Sequence, residues 1–167
     1  TNTILCAIRE LGITDVEAVK KGFLNVVQLT GLMGRWQILC NQPLIVCDTG
    51  HNVGGWKYLS KQIIHQECHQ KHIVFGMVDD KDIDSVMELL PKDAIYYWSQ
   101  ATTHRAIPSQ VVAQKGLAHG LVGRVYDSVE SAYMAALAIA VPNDFVFIGG
   151  SSYIVSDLLA CLATPKE

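Results

Sequence analysis

The sequence predicts an α/β fold: a mostly parallel six-stranded sheet with helices on both faces, preceded by two short helices. From about Arg35 onward, short β-rich runs alternate with stretches of helical period. Connections of helix length call for parallel pairing, because a parallel crossover needs a dozen or so residues to return to the same edge. The opening residues break this alternation, with apolar side chains recurring at helical spacing.

In chain order, Ile4, Ile8 and Leu11 form one helical stripe that Gly12 stops, and Asp15 opens a second with Val16, Val19 and Phe23. Strands are expected at 36–40, 44–48, 72–77, 94–98, 121–126 and 144–148. Helices are expected at about 53–67, 83–90, 108–119, 128–140 and 152–162. Pro108 stands where a helix tolerates a missing N–H, and Ser128 precedes an apolar run as an N-cap would. Residues 1–30 therefore read as a helical segment and 31–167 as the α/β domain.

Composition narrows the class. The chain has 167 residues, half of them apolar, with 13 basic against 16 acidic side chains and a net charge of -3. That suits one folded domain with its own core and argues against disorder. A mildly acidic chain has no basic surplus for nucleic acid. The longest apolar stretch, 132–141, is far short of the roughly 20 residues that span a bilayer, so no membrane partner is expected. The first ten residues show no secretory pattern, and the five cysteines are dispersed without a C-x-x-C pair. The plain expectation is a reduced, cytoplasmic protein, and the initial Thr in place of Met reads as a fragment of a longer one.

In open α/β sheets, ligands bind beyond the carboxyl ends of strands. Two loops are expected there. The first, Asp48-Thr49-Gly50-His51-Asn52, offers an acceptor, a titratable ring and an amide on a glycine-rich backbone. Asp48 and Asn52 also suit helix capping, but His51 has no such role to explain it. The second, Gly149-Gly150-Ser151-Ser152, leads a strand into a helix start whose N–H groups suit an anion, with a serine N-cap as the bland alternative. Arg35, at the entry to the first strand, is a phosphate-holding candidate or a solvated surface residue. Asp79-Asp80-Lys81-Asp82 reads better as N-terminal capping than as a cation site. His65, Cys68, His69 and His72 have one-face helical spacing, yet they lack an H-E-x-x-H pattern and a strand begins near His72, so a polar helix end is preferred to zinc. Neither G-x-S-x-G nor a P-loop is present in the sequence.

Gly34-Arg35-Trp36-Gln37, Asp48-Thr49-Gly50-His51-Asn52, Val74-Phe75-Gly76-Met77 with Asp80-Lys81-Asp82, and Gly150-Ser151-Ser152-Tyr153 occur in that order. Together they resemble the C-terminal domain of the bifunctional dihydrofolate synthase/folylpolyglutamate synthase family, within the Mur ligase superfamily. Thr103-His104-Arg105-Ala106 with Pro108 is similar to that family's R-A-x-P segment. The resemblance implies a Rossmann-like C-terminal lobe of an ATP-dependent ligase that adds L-glutamate to dihydropteroate or folate through an acyl phosphate. It further implies that Asn2, Arg35 and Asp48 contact ATP, that His51 and Ser151 line the glutamate pocket, and that His51 is the catalytic candidate. Residues 1–30 would then be the helical remnant of the ATPase domain, whose phosphate-cradling loop and magnesium ligands would lie outside this chain, leaving the fragment inactive alone. Gly50 and Val53 replace the Ala and Pro of the family's D-x-A-H-N-P loop. A free-standing nucleotide-binding module and another Mur-type amide ligase are the alternative readings.

Overall fold

The computed structural model describes residues 2–79 and 82–163. The chain divides into two compact units, residues 1–33 and 34–167. The first holds α1 (Asn2–Glu10), α2 (Val16–Leu24) and α3 (Val26–Thr30). Asp15 caps α2 by accepting the Ala18 N–H at 2.9 Å. The third helix was not expected from the sequence; it is only five residues long, and Asn25 makes no side-chain cap that would announce it. None of the three helices has a buried residue. Within this unit, Ile4, Ile8, Ile13, Val19, Phe23 and Val26 line an open apolar groove of about 380 Å³.

The second unit is the expected α/β layer structure. Its strands are β1 (Gln37–Asn41), β2 (Leu44–Asp48), β3 (Lys71–Phe75), β4 (Ala94–Trp98), β5 (Gly123–Val125) and β6 (Phe145–Gly149), in the spatial order β1-β2-β6-β3-β4-β5. Every pair is parallel except β1 with β2. Those two are joined only by Gln42 and Pro43, a hairpin-length link that excludes a parallel crossover.

Side-chain alternation along the strands feeds two cores. Val46, Ile73, Phe75, Tyr96, Trp98, Phe145 and Phe147 point to one face, under Trp56, Leu59 and Ile63 of α4 (Val53–Ile64), Val86 of α5 (Ile83–Met87) and Val112 of α6 (Ser109–Ala118). Ile45, Cys47, Val74, Tyr97, Val146 and Ile148 point to the other, under Ala132 and Ala136 of α7 (Val129–Leu137) and Ile154, Val155 and Leu158 of α8 (Ser152–Ala163). The central strands β3 and β6 are buried throughout, as strands covered on both faces must be.

Element ends are set by local chemistry that period alone does not reveal. α4 stops at Ile64 because the next side chains turn back on its last carbonyls: His65 Nδ1 lies 2.6 Å from Lys61 O, and Gln66 Nε2 donates to Gln62 O at 3.0 Å. β5 is shorter than expected because the Leu121 N–H closes α6 on Gly116 O. Ser128 caps α7 in a reciprocal capping box with Ser131. Among the described residues, no helix is long and apolar enough to cross a membrane.

At the amino end of the sheet lies a buried polar cluster. Asp144, 4% exposed, accepts the N–H groups of Val141 at 2.9 Å and Gln70 at 3.1 Å. His72 Nε2 approaches the same carboxylate at 3.2 Å, and its Nδ1 meets the Tyr97 hydroxyl at 2.9 Å.

Candidate functional site

The opposite, carboxyl end of the sheet is where chemistry gathers. β2 and β6 are neighbours, with Asp48 in register with Gly149. Yet β2 continues into α4 on one face, and β6 into α8 on the other. Adjacent strands whose helices leave in opposite directions open a crevice between their ends. The two loops singled out in the sequence form its sides.

Asp48 ends β2 with both carboxylate oxygens engaged. Oδ2 accepts the Trp36 N–H and Oδ1 the Gly50 N–H, each at 2.7 Å. It is not a helix cap; that role falls to Asn52, which accepts the Gly55 N–H at 2.8 Å. The Trp36 contact fastens the turn that carries Arg35. Gly34 (φ +71) and Trp36 (φ +44) both have left-handed backbone, so Arg35 projects between two inverted residues. Such a conformation is costly for a non-glycine residue and needs outside support. The Trp36 indole supplies some, with its ring 6.2 Å from Phe145 and 6.3 Å from Phe147 of β6. Arg35 itself is exposed, and among the described residues its guanidinium has no hydrogen-bond or ion-pair partner.

His51, three residues beyond Asp48, is half-buried. Its Nδ1 lies 3.0 Å from the Thr49 carbonyl oxygen, which can only accept, so Nδ1 bears the hydrogen and the neutral ring keeps its lone pair on Nε2.

Across the crevice, backbone replaces side chains. A Cβ on Gly149 would sit 2.7 Å from Asp48 O, and one on Gly150 (φ +104) would come within 2.3 Å of Gly76 O. Gly76 N–H donates to Gly149 O at 3.3 Å, tying the ends of β3 and β6. This bare floor leads into the twelve-residue α8. Ser151 is buried, and its Oγ accepts the Ile154 N–H at 3.2 Å, so the capping role weighed from sequence is present. Its hydroxyl hydrogen remains able to donate.

The 103–107 segment also reaches this end of the sheet. Asp79 N–H donates to Arg105 O at 3.0 Å, Ile107 N–H donates to Met77 O at 3.0 Å, and Arg105 Nε pairs with Asp79 at 3.7 Å. Asp82 caps α5 through the Ser85 N–H at 3.1 Å, while Asp80 and Lys81 lie outside the described residues. The hydroxyl and backbone N–H groups of Ser85 also hold the Asp82 carboxyl below its ordinary range. His65, Cys68, His69 and His72 do not share a helical face: α4 has ended by His65, and His72 is in β3. Burial pushes the Cys47 thiol up to about 11, helped by the neighbouring Asp48 charge, which makes it a poor nucleophile. Asn2 is the first residue of α1, in the other unit.

Asp48 and His51 after β2, Ser151 after β6 and Arg35 in the turn ahead of β1 thus belong to three segments at the same end of the sheet. Sequence reasoning passed over Thr49, whose N–H and hydroxyl both bind Gly34 O, and Gln37, whose side chain accepts the Gly34 N–H. Gly34 is fifteen positions from Thr49, which leaves no local pattern for that contact; only the pairing of β1 with β2 brings the two together.

Comparison with known proteins agrees with this architecture. The family described as "Mur ligase, glutamate ligase domain" matches residues 34–152, well over half the chain. The dihydrofolate synthase/folylpolyglutamate synthase of Escherichia coli (strain K12) is 30% identical over 159 residues, covering 94% of this chain and 36% of that enzyme. Among solved structures, the bifunctional folylpolyglutamate synthase/dihydrofolate synthase of Yersinia pestis CO92 superposes with a TM-score of 0.75 at 28% identity, covering 90% of this chain and 35% of that one. A bifunctional folylpolyglutamate synthase/dihydrofolate synthase with Mn, AMPPNP and L-glutamate bound gives 0.68 at 27% identity, over 80% of this chain and 32% of the other. The chain spans little more than a third of the length of the curated relatives it matches, 38% and 36% for two of them.

Proposed function

Since this chain belongs to the Mur ligase, glutamate ligase domain family, we propose that it is the nucleotide- and glutamate-binding C-terminal lobe of an ATP-dependent ligase that joins L-glutamate to dihydropteroate or folate. The observation that supports this reading is that the segments carrying Arg35, Asp48, His51 and Ser151 all stand at the carboxyl end of β2 and β6. In the reaction, a carboxylate of the folate substrate takes the terminal phosphoryl group of ATP, and the glutamate amine displaces phosphate from the acyl phosphate.

Each residue has a part that suits its chemistry. Arg35, exposed on a braced turn, meets negative charge as it builds on the transferring phosphoryl group. Asp48 shapes the nucleotide side and keeps spare lone pairs for the ribose. His51 presents Nε2 as an acceptor to the glutamate ammonium, orienting it and taking its proton before attack. Ser151 and the start of α8 receive a glutamate carboxylate. Asn2 is a further nucleotide-binding candidate, carried over from the family resemblance alone. The magnesium that accompanies ATP would take its ligands from the N-terminal ATPase domain of the whole ligase, and no step here runs through it.

The test uses the full-length protein that carries this chain. His51→Ala should lower kcat by about a hundredfold or more, the usual worth of a positioned acid–base group. Asp48→Ala should raise the KM for ATP, and unchanged kinetics in both variants would remove these residues from the site. The isolated 167 residues should release no ADP in response to glutamate. Calorimetry on them should show weak ATP binding at most; micromolar affinity would favour a free-standing nucleotide-binding module.

A further inference from the structure

We propose that Thr49 is a positioning residue that locks the arginine turn to the histidine loop, so that one side chain registers the phosphate and amine halves of the site. The proposal rests on the functional reading above. It starts from the Gly34-Arg35-Trp36 turn, which cannot hold itself. Both residues flanking Arg35 have left-handed backbone, and Trp36 is the only non-glycine residue with positive φ among those described. Strain of this kind persists where surrounding contacts over-determine it.

Asp48 holds the Trp36 N–H on one side of the turn, and on the Gly34 side the contacts meet at Thr49. Its backbone N–H and its Oγ1 both donate to Gly34 O, at 2.9 and 3.0 Å. Its methyl lies under the same glycine, where an added Cβ would come within 2.6 Å of Thr49 Cγ2 and 3.1 Å of Val155 Cγ1. Gln37 Oε1 takes the Gly34 N–H at 2.8 Å, so the glycine is gripped at both polar groups. The third polar group of Thr49, its carbonyl, is the one that fixes the His51 tautomer at 3.0 Å. Thr49 therefore spends its donors on the Arg35 side and its acceptor on the His51 side. Only the donor hydroxyl belongs to the side chain, and this makes the two halves separable by substitution.

Thr49→Val in the full-length ligase keeps shape and carbonyl but removes the hydroxyl. Its KM for ATP should rise about three- to tenfold, the range that one net hydrogen bond carries, while the KM for glutamate moves by less than about twofold because the carbonyl is intact. Thr49→Ser, which restores the hydroxyl, should bring the KM for ATP back. An unchanged KM for ATP in Thr49→Val overturns the proposal. So do equal rises in both KM values with a lowered Tm, which mark a general loosening. Should Thr49→Val not fold, Gln37→Leu removes the other grip on the same turn and must raise the KM for ATP alone; no rise overturns the proposal. Absence of any ligation by the wild-type protein overturns the functional reading and this inference with it, whereas an active wild type with an unaltered Thr49→Val overturns this inference only.

Discussion

Asp144 shows how much a single carboxylate organises at the end of the sheet away from the crevice. Burial acts to raise its pKa, but the N–H groups of Val141 and Gln70 and the adjacent His72 outweigh this and leave it below the ordinary carboxylate range. A group depressed in this way stabilises the fold at any pH above its unfolded value of about 3.9 and loses that contribution as pH falls through its folded value. Asp144→Asn should therefore destabilise the protein by about 1 to 3 kcal/mol at neutral pH, the cost of leaving buried donors poorly paired. Urea melts at pH 7 and in the acid range should show the gap between variant and wild type narrowing as the medium acidifies. A constant gap across pH would assign the loss to packing instead of charge. Sequence reading could not reach this residue, because its partners Gln70 and His72 lie more than seventy positions away and meet it only through the β3–β6 pairing.

Elements were legible where local chemistry and period agree, and less so where tertiary pairing decides. Ser128 announces α7 through its own hydroxyl, and the structure shows the full capping box. Ser128→Ala should cost about 1 kcal/mol, read as a Tm lowered by a few degrees. α6 gives the converse case. Gly116 lowers its helical propensity, yet a Cβ there would come within 2.4 Å of the buried Trp98 ring. Gly116→Ala should thus destabilise by about 1 to 3 kcal/mol through overpacking, against the gain that propensity alone promises. The candidate site divides along the same line. Asp48, His51 and Ser151 stand in segments that their own sequence marks as unusual, whereas Thr49 gains its meaning only from the hairpin that joins β1 to β2 and so brings it to Gly34.

At the scale of the whole chain, the α/β unit contains both apolar clusters, and α1, α2 and α3 contain no buried residue. Residues 34–167 alone should therefore unfold cooperatively, with a Tm within a few degrees of the full chain; loss of the transition in a thermal melt would show that the helical unit is needed for folding. The glycine floor of the crevice, where Gly76, Gly149 and Gly150 leave no room for a Cβ, has a consequence for how such a site diversifies. A side chain added in the floor would collide with a neighbouring strand or ring, so the floor resists substitution whatever the ligand. Room for a different substrate lies on the rim, where Arg35 is exposed and His51 and Arg105 are only half-buried.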